Sequence, residues 1–154
     1  MAKLRHIALC SKDPWGTAEF YDKMFGLKVV DVKNVPDGTF IFCSDGVVTL
    51  AILDYTSEEA ARHVRIDGTD WVGLHHIGFL DEDPEGRVAH VRAQEGTVIE
   101  RPHEPGPYFE YKILDPNGIV VDIARKWPGI GDDEPADGAV DAAPAATAAT
   151  APEA

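Results

Sequence analysis

A short motif occurs twice in the chain, 70 positions apart. The first copy reads His6-Ile7-Ala8 and the second reads His76-Ile77-Gly78. Each copy opens a segment with the same order of predicted elements: an apolar strand, an amphipathic helix and then further strands. A repeat of this length predicts two copies of one supersecondary unit that stack into a common core.

The first segment has the pattern of a β-α-β-β-β unit. Alternating residues predict a strand over 4–10, with His6, Ala8 and Cys10 on one face. Asp13 followed by Pro14 is typical of a helix start. Three further strands are predicted over 27–32, 39–44 and 47–53.

The second segment repeats this order, with a strand over 74–80, a helix from Asp83 or Pro84 to Gly96, and strands over 97–100, 108–114 and 119–125. A short helix over 57–64 lies between the two segments. Neither unit can bury its sheet alone, so we expect two tandem βαβββ modules (about 3–55 and 73–127, connector 56–72). Together they form one α+β domain over 1–128 with a single curved mixed sheet.

Composition limits the function classes. A net charge of −13 argues against a nucleic-acid partner and against an anionic membrane surface. No apolar run reaches membrane-spanning length, which favours a cytoplasmic protein. The two cysteines, Cys10 and Cys43, are expected to be buried thiols. Residues 129–154 are acidic and rich in Ala and Pro, with Val140 the only large apolar side chain after Gly131, and predict a disordered tail.

The order of these motifs resembles that of the vicinal oxygen chelate superfamily, which includes glyoxalase I, extradiol dioxygenases, fosfomycin and bleomycin resistance proteins, and methylmalonyl-CoA epimerase. The resemblance covers about residues 3–127. It rests on segments 5–9, 20–21, 25–27, 76–79 and 115–118, the last leading to Asp122. It implies that the curved sheet forms a cup around a divalent metal, and that the protein is a homodimer.

The resemblance implies that His6, His76 and Asp122 bind this metal. Two histidines and one carboxylate occupy one face of an octahedron and leave the other positions open for substrate, water or oxygen. The strand phase favours His76 over His75, which is expected to point to the opposite face. Fe(II) or Mn(II) is favoured, and Zn, Ni or Co would also suit the site.

Asp122 lies in an apolar run, where a carboxylate needs a partner. The metal is one candidate, and a buried salt bridge to Lys112 or Arg125 is the alternative. The family usually has Glu at this position. Glyoxalase I has a further carboxylate in the first module, and the spacing from His6 assigns that position to Ile52, which cannot bind a metal.

Four outer residues are candidates for contact with the substrate. His103 stands 19 positions before Asp122 in a Pro-rich loop, the spacing of a catalytic, substrate-contacting histidine in extradiol dioxygenases. Lys112 is a candidate catalytic base or anion partner, or a strand lysine that extends to water. Tyr108 and His63 are candidates for substrate binding, with core packing and a solvated helix position as their respective alternatives.

These residues predict a metal-dependent enzyme that acts on a small molecule through two adjacent oxygens. Extradiol-dioxygenase-like oxygenation is the favoured reaction. A glyoxalase-like lyase or isomerase, or a thiol transferase, is the first alternative. A metal-free protein that sequesters drugs or aromatic ligands, as bleomycin resistance proteins do, is the second.

Overall fold

The computed structural model of the chain describes residues 1–100 and 109–130. These residues form eight strands and three helices. The strands are β1 (Lys3–Cys10), β2 (Lys28–Val35), β3 (Gly38–Ser44), β4 (Thr49–Tyr55), β5 (Gly73–Leu80), β6 (Val98–Ile99), β7 (Glu110–Leu114) and β8 (Val120–Ala124). The helices are α1 (Pro14–Phe25), α2 (Glu58–His63) and α3 (Pro84–Ala93).

All eight strands belong to one mixed sheet in the order β2-β3-β4-β1-β5-β8-β7-β6. The opening strands of the two modules, β1 and β5, pair antiparallel at the centre. On its outer side, each of them pairs parallel with the last strand of its own module, β4 or β8. The two halves therefore repeat one topology and build a single curved sheet, which confirms the predicted fold class.

The repeat extends to the helix starts. Asp13 accepts a hydrogen bond from the backbone N–H of Gly16 at 2.9 Å, and Asp83 accepts one from Gly86 at 3.0 Å. In both helices a proline follows the capping aspartate. These caps turn the chain away from the end of β1 or β5 and lay the helix along the outer face of the sheet.

Apolar side chains cover both faces of the first module's sheet. One buried cluster lies beneath α1 and contains Ala18, Ile41, Cys43, Leu50 and Ile52. A second lies on the opposite, concave face beneath α2 and the connector, and contains Ala8, Cys10, Phe42, Ala51, Leu53, Ala61, Val64 and Ile66. Cys10 and Cys43 are buried free thiols, as predicted.

Element ends differ from the predicted ones by up to three residues. The largest shift is at β2, which continues to Val35 because it stays paired with β3 as far as Gly38. The carbonyl of Gly129 accepts a hydrogen bond from Ser44 Oγ at 2.9 Å, so contacts with the sheet run past the limit predicted at 128. Residues 131–154 of the predicted tail lie outside the described residues. Within the described part of the chain, no helix is both long and apolar enough to cross a membrane.

Replacing either capping aspartate with alanine should lower the free energy of unfolding by about 1 kcal/mol, because a helix N–H loses its acceptor. Asp13→Ala and Asp83→Ala test the two caps separately, and urea denaturation measures the change. Asp13→Asn and Asp83→Asn, which keep an acceptor oxygen, should stay close to the parent protein. Equal losses in the Ala and Asn variants would contradict the capping role.

Candidate metal centre

The pairing of the two central strands brings His6 and His76 together. In the antiparallel register, His6 lies opposite Gly78 and Ala8 lies opposite His76. Both imidazoles are directed toward the concave face and are buried, with 1% and 5% of their surface exposed. Their Nε2 atoms are 3.1 Å apart.

Asp122 joins them from the next strand. It stands opposite Gly78 in the parallel pairing of β5 with β8 and is fully buried. Its Oδ2 atom is 3.1 Å from His76 Nε2. One potential ligand atom from each of His6, His76 and Asp122 lies within 4.8 Å of the other two. The structure thus brings together the three residues that the sequence predicts as metal ligands, which we call the trio.

Trp127 and Gly78 set the position of His6. The indole of Trp127 stacks on the His6 ring with centroids 4.0 Å apart and planes at 4°. A Cβ at Gly78 would lie 2.9 Å from both His6 Cβ and Trp127 Cζ2. Glycine at this position is therefore what lets the two rings stack. Stacking between residues of different modules leaves no local pattern, so this contact of Trp127 could not be predicted from the sequence.

Lys112 lies in the same site. It stands opposite Asp122 across β7 and β8, is 3% exposed, and places Nζ 2.5 Å from Asp122 Oδ2. Glu110 Oε2 also accepts from Nζ at 3.1 Å. Lys112 therefore lies beside the trio. It is also the salt-bridge partner that was predicted as the alternative to a metal at Asp122. Arg125, the other predicted partner, binds Glu85 instead.

Burial and neighbouring charges set the ionisation of the site. Burial opposes ionisation of Asp122, but Lys112 and His76 outweigh it and hold the pKa of this carboxyl well below its usual range. Burial, reinforced by His76, lowers the pKa of His6 to about 3. At neutral pH the site therefore offers an ionised carboxylate and a neutral imidazole at His6, which are the forms that bind metals.

An unsatisfied oxygen supports the fit to a cation. Among the described residues, the buried side-chain polar atoms without a hydrogen-bond partner are His6 Nδ1, Asp122 Oδ1 and Trp127 Nε1. The indole nitrogen of Trp127 carries a hydrogen and can only donate, and it is Nε2 of His6, not Nδ1, that faces His76. The unpaired oxygen of Asp122 is an acceptor, and a buried acceptor normally finds a partner. An unpaired carboxylate oxygen beside two converging imidazole nitrogens suits a divalent ion of the first transition series.

The first module has no counterpart of Asp122. In the structure, Ala51 takes that position, because it stands opposite Ala8 on β4 as Asp122 stands opposite Gly78 on β8. The prediction of Ile52 is wrong by one residue, and Ile52 packs beneath α1 on the other face. Alanine cannot bind a metal either, so the conclusion that the first module supplies only His6 is unchanged.

A cavity of about 240 Å³ opens on the trio from the concave face. Its polar lining includes His6, His76, Lys112, Glu110 and Lys33. The apolar part of the wall comes from the first module and the connector, and comprises Val35, Phe40, Phe42, Ala51, Leu53, Tyr55 and, from the connector, Val64. This cavity, which we call the cup, is therefore polar around the trio and apolar on the side of β3 and β4.

His75 does not point away from His76, and that prediction is wrong. A β-bulge in β5 interrupts the alternation of side chains, and the Nδ1 atoms of the two rings are 2.6 Å apart. Burial, followed by the proximity of His76, lowers the pKa of His75 to about 4, so its ring is neutral at physiological pH. The only sign of this contact in the sequence is that the two histidines are neighbours in the chain.

Three predicted substrate-contacting residues remain, namely His63, His103 and Tyr108. His63 is exposed at the end of α2 and is not among the described residues that line the cup. Its part in substrate binding stays a prediction. His103 and Tyr108 lie outside the described residues.

Comparison with known families gives one clear match. The sequence model of the Glyoxalase/Bleomycin resistance protein/Dioxygenase superfamily matches residues 3–123. No curated protein matches the chain at a significant level. The family match includes all three residues of the trio, together with Lys112.

Several solved structures have the same fold. A hypothetical protein from Bacillus halodurans C-125 is 22% identical with a TM-score of 0.64, and the match covers 82% of this chain and 95% of that one. A methylmalonyl-CoA epimerase variant from Streptomyces coelicolor, in complex with 2-nitronate-propionyl-CoA, is 21% identical with a TM-score of 0.60 (79% and 94% covered). The methylmalonyl-CoA epimerase from Mycobacterium tuberculosis is 14% identical with a TM-score of 0.63 (78% and 85% covered).

Removal of one trio residue should abolish metal binding. We expect the parent protein to retain about one divalent ion after reconstitution and dialysis, and His76→Ala to retain none, because two remaining ligands hold an ion weakly. Elemental analysis measures occupancy, and the rise in melting temperature with added metal measures binding independently. His63→Ala, which removes an exposed histidine, is the matched control. A parent protein without an ion, or equal loss in both variants, would refute the site.

Removal of the Lys112 ammonium should strengthen metal binding. The ammonium and a metal ion would both lie at the Asp122 carboxylate, and two cations within a few ångströms repel each other strongly when water is excluded. We expect Lys112→Met to bind a divalent ion about tenfold more tightly in calorimetry. Lys33→Met removes another lysine of the cup, whose Nζ lies 5.1 Å from the Phe42 ring centroid, and should change affinity far less. Weaker binding by Lys112→Met would contradict the competition.

Proposed function

The chain belongs to the glyoxalase/bleomycin resistance protein/dioxygenase superfamily, and we propose that it is a divalent-metal-dependent enzyme acting on a small anionic substrate with two adjacent oxygens. The observation that carries the proposal is the convergence of the trio's ligand atoms within 4.8 Å at the polar end of the cup. Three protein ligands on one side of an ion leave room for two oxygens of one substrate.

The metal would supply Lewis acidity, which stabilises negative charge on a carbonyl or carboxylate oxygen. The protein's own residues do the rest. His6, His76 and Asp122 hold the ion at a fixed point, and the stacked Trp127 restrains His6. Lys112 and Glu110 place one ammonium and one carboxylate beside the trio, where they can donate or accept a proton at a bound substrate.

The charge of the cup favours an anion. In formal charge, Lys33 and Lys112 of the cup balance Glu110 of the cup and the buried Asp122 behind it, so a divalent ion leaves this region with a net positive charge. The rest of the protein is strongly acidic, with a net charge of −13 overall. A positive cup within an acidic protein attracts a carboxylate or enolate selectively. A cavity of about 240 Å³ suits the reacting part of a small molecule.

Proton transfer next to a metal-stabilised oxyanion is the reaction that the described residues support best. An isomerase or epimerase of this kind needs a Lewis acid and a proton carrier within reach of the same carbon, and the cup holds Lys112 and Glu110 beside the trio. Solved neighbours include methylmalonyl-CoA epimerases bound to acyl-CoA compounds. An acyl thioester that bears a carboxylate is therefore the first substrate class to test.

Extradiol-type oxygenation, which the sequence favours, is the second candidate. It is supported by the two-histidine, one-carboxylate set and by Ala51 at the position of a fourth ligand, since a metal with three protein ligands retains positions for both oxygen and a catecholate. Its predicted substrate histidine, His103, lies outside the described residues. The described part of the chain therefore offers more for proton transfer than for oxygen chemistry.

Hydrogen exchange separates these candidates. The substrate is a 2-substituted malonyl thioester in deuterated water. The protein reconstituted with Co(II) or Mn(II) should catalyse deuterium uptake at the carbon between its carboxylate and its thioester, and mass spectrometry measures this uptake. Glu110→Gln should slow exchange at least tenfold because the carboxylate of the proton-transfer pair is lost, while metal content stays unchanged. Glu59→Gln, which changes an exposed carboxylate on α2, is the matched control.

The same preparation, reconstituted anaerobically with Fe(II), is then given catechols under oxygen. Oxygen uptake without deuterium exchange would replace the isomerase proposal with oxygenation. Aromatic ligands bound in the cup of a protein that holds no metal would overturn both reactions in favour of sequestration.

A further inference from the structure

His75 occupies an irregular position in β5. Across the pairing with β1, Ala8 lies opposite His76 and Leu9 lies opposite Leu74, so His75 has no opposite residue on β1. An extra residue of this kind forms a bulge and redirects the side chains around it. The rings of His75 and His76 consequently meet edge to face, with centroids 4.7 Å apart and planes at 78°.

The hydrogen bonds of His75 fix the positions of two protons. Its Nε2 atom is 2.8 Å from the carbonyl oxygen of Val64. A carbonyl only accepts, so Nε2 of His75 carries the hydrogen and donates it. The two Nδ1 atoms of His75 and His76 are 2.6 Å apart, so they share one hydrogen. When Nε2 of His76 binds a cation, Nδ1 of that ring carries the hydrogen and donates it to His75.

We propose that His75 is a positioning residue that accepts the Nδ1 hydrogen of His76 and so holds His76 Nε2 toward the ion. Nε2 faces Asp122 Oδ2 at 3.1 Å in the metal-free protein, and it releases its own hydrogen to solvent when the ion binds. The inference rests on the proposed function, because it takes His76 as a metal ligand. Metal-binding histidines usually donate their second ring N–H to a carboxylate or carbonyl, which sets ring orientation and basicity. Here a second imidazole stands between the ligand and the carbonyl.

The far end of this chain of hydrogen bonds is itself anchored. Val64 is the C-cap of α2, is buried, and donates its own N–H to the carbonyl of Ala60. The last carbonyls of a helix have no partner within the helix, so His75 satisfies one that would otherwise be buried unpaired. The connector helix and the metal centre are thereby linked through one side chain.

His6 offers the internal contrast. Its Nδ1 has no partner among the described residues, and stacking on Trp127 restrains its ring without selecting a tautomer. Removal of His75 should therefore affect His76 alone. His75→Leu removes both hydrogen bonds and retains an apolar side chain. His75→Asn keeps an acceptor close to the position of Nδ1 and loses the donor to Val64.

The first measurement uses the metal-free protein. Long-range ¹H–¹⁵N spectra at about pH 8, above the ordinary histidine pKa, report whether Nδ1 of His76 carries a hydrogen. We expect this hydrogen in the parent protein and in His75→Asn, and its loss in His75→Leu. The second measurement is Co(II) affinity by calorimetry together with the Co(II) absorption spectrum. We expect His75→Leu to bind ten- to hundredfold more weakly with an altered spectrum, and His75→Asn to recover most of the loss.

Three results would overturn the inference: a His76 Nδ1 that carries no hydrogen in the parent protein, parent-like Co(II) affinity in His75→Leu, or an Asn variant that behaves as the Leu variant does. His63→Leu controls for the loss of an exposed histidine, and circular dichroism confirms that each variant is folded. Failure of the proposed function is distinguishable. If the parent protein binds no metal but His76 Nδ1 carries the expected hydrogen, the link between His75 and His76 stands and the metalloenzyme proposal falls.

Discussion

The antiparallel pairing of β1 with β5 is the constraint on which the rest of this structure depends. Its register sets His6 against Gly78 and His76 against Ala8, so the two imidazoles meet on one face with only small residues opposite them. A slip of one residue would send one histidine to the helix-covered face. The remaining strands of each module lie on the outer sides of this central pair. Asp122 lies beside His76 because β8 pairs parallel with β5. The centre is thus a product of module pairing and exists in neither module alone.

The large features of this arrangement could be predicted from the sequence because they rest on repetition and strand phase. Two matched His-Ile motifs and similar helix starts predicted the fold. The family resemblance that these motifs carry implied the trio, and a place in the cup was one of two alternatives for Lys112. What could not be predicted depends on irregularities in pairing. Strand register produces the bulge at His75, and it also puts Ala51 rather than Ile52 at the position that corresponds to Asp122. Hydrophobic alternation does not predict register to within one residue. The stacking of Trp127 on His6 joins residues from the two ends of the fold and has no local signal.

Lys112 gives the site a second possible cation. Its ammonium already lies within hydrogen-bonding distance of Asp122, so the buried carboxylate is compensated whether or not a metal is bound. An unpaired carboxylate in this position would destabilise the fold by several kcal/mol. The lysine therefore lets the centre fold before any ion arrives, at the cost of competition with that ion. This dual role explains why the predicted salt bridge and the predicted metal site are compatible: both involve the carboxylate of Asp122, with and without metal.

The two histidines of the centre are restrained by different physical means, and the difference bears on how the site works. His6 is fixed by shape, between the glycine at position 78 and the indole of Trp127, and its second nitrogen makes no hydrogen bond in the described structure. His76 is fixed by hydrogen bonds that run through His75 to the end of α2. Stacking tolerates small rotations in the ring plane, whereas a hydrogen-bonded ring has a defined direction for its lone pair. In the proposed enzyme, His76 would thus define the direction of one metal bond, and His6 could adjust when a chelating substrate changes the coordination around the ion.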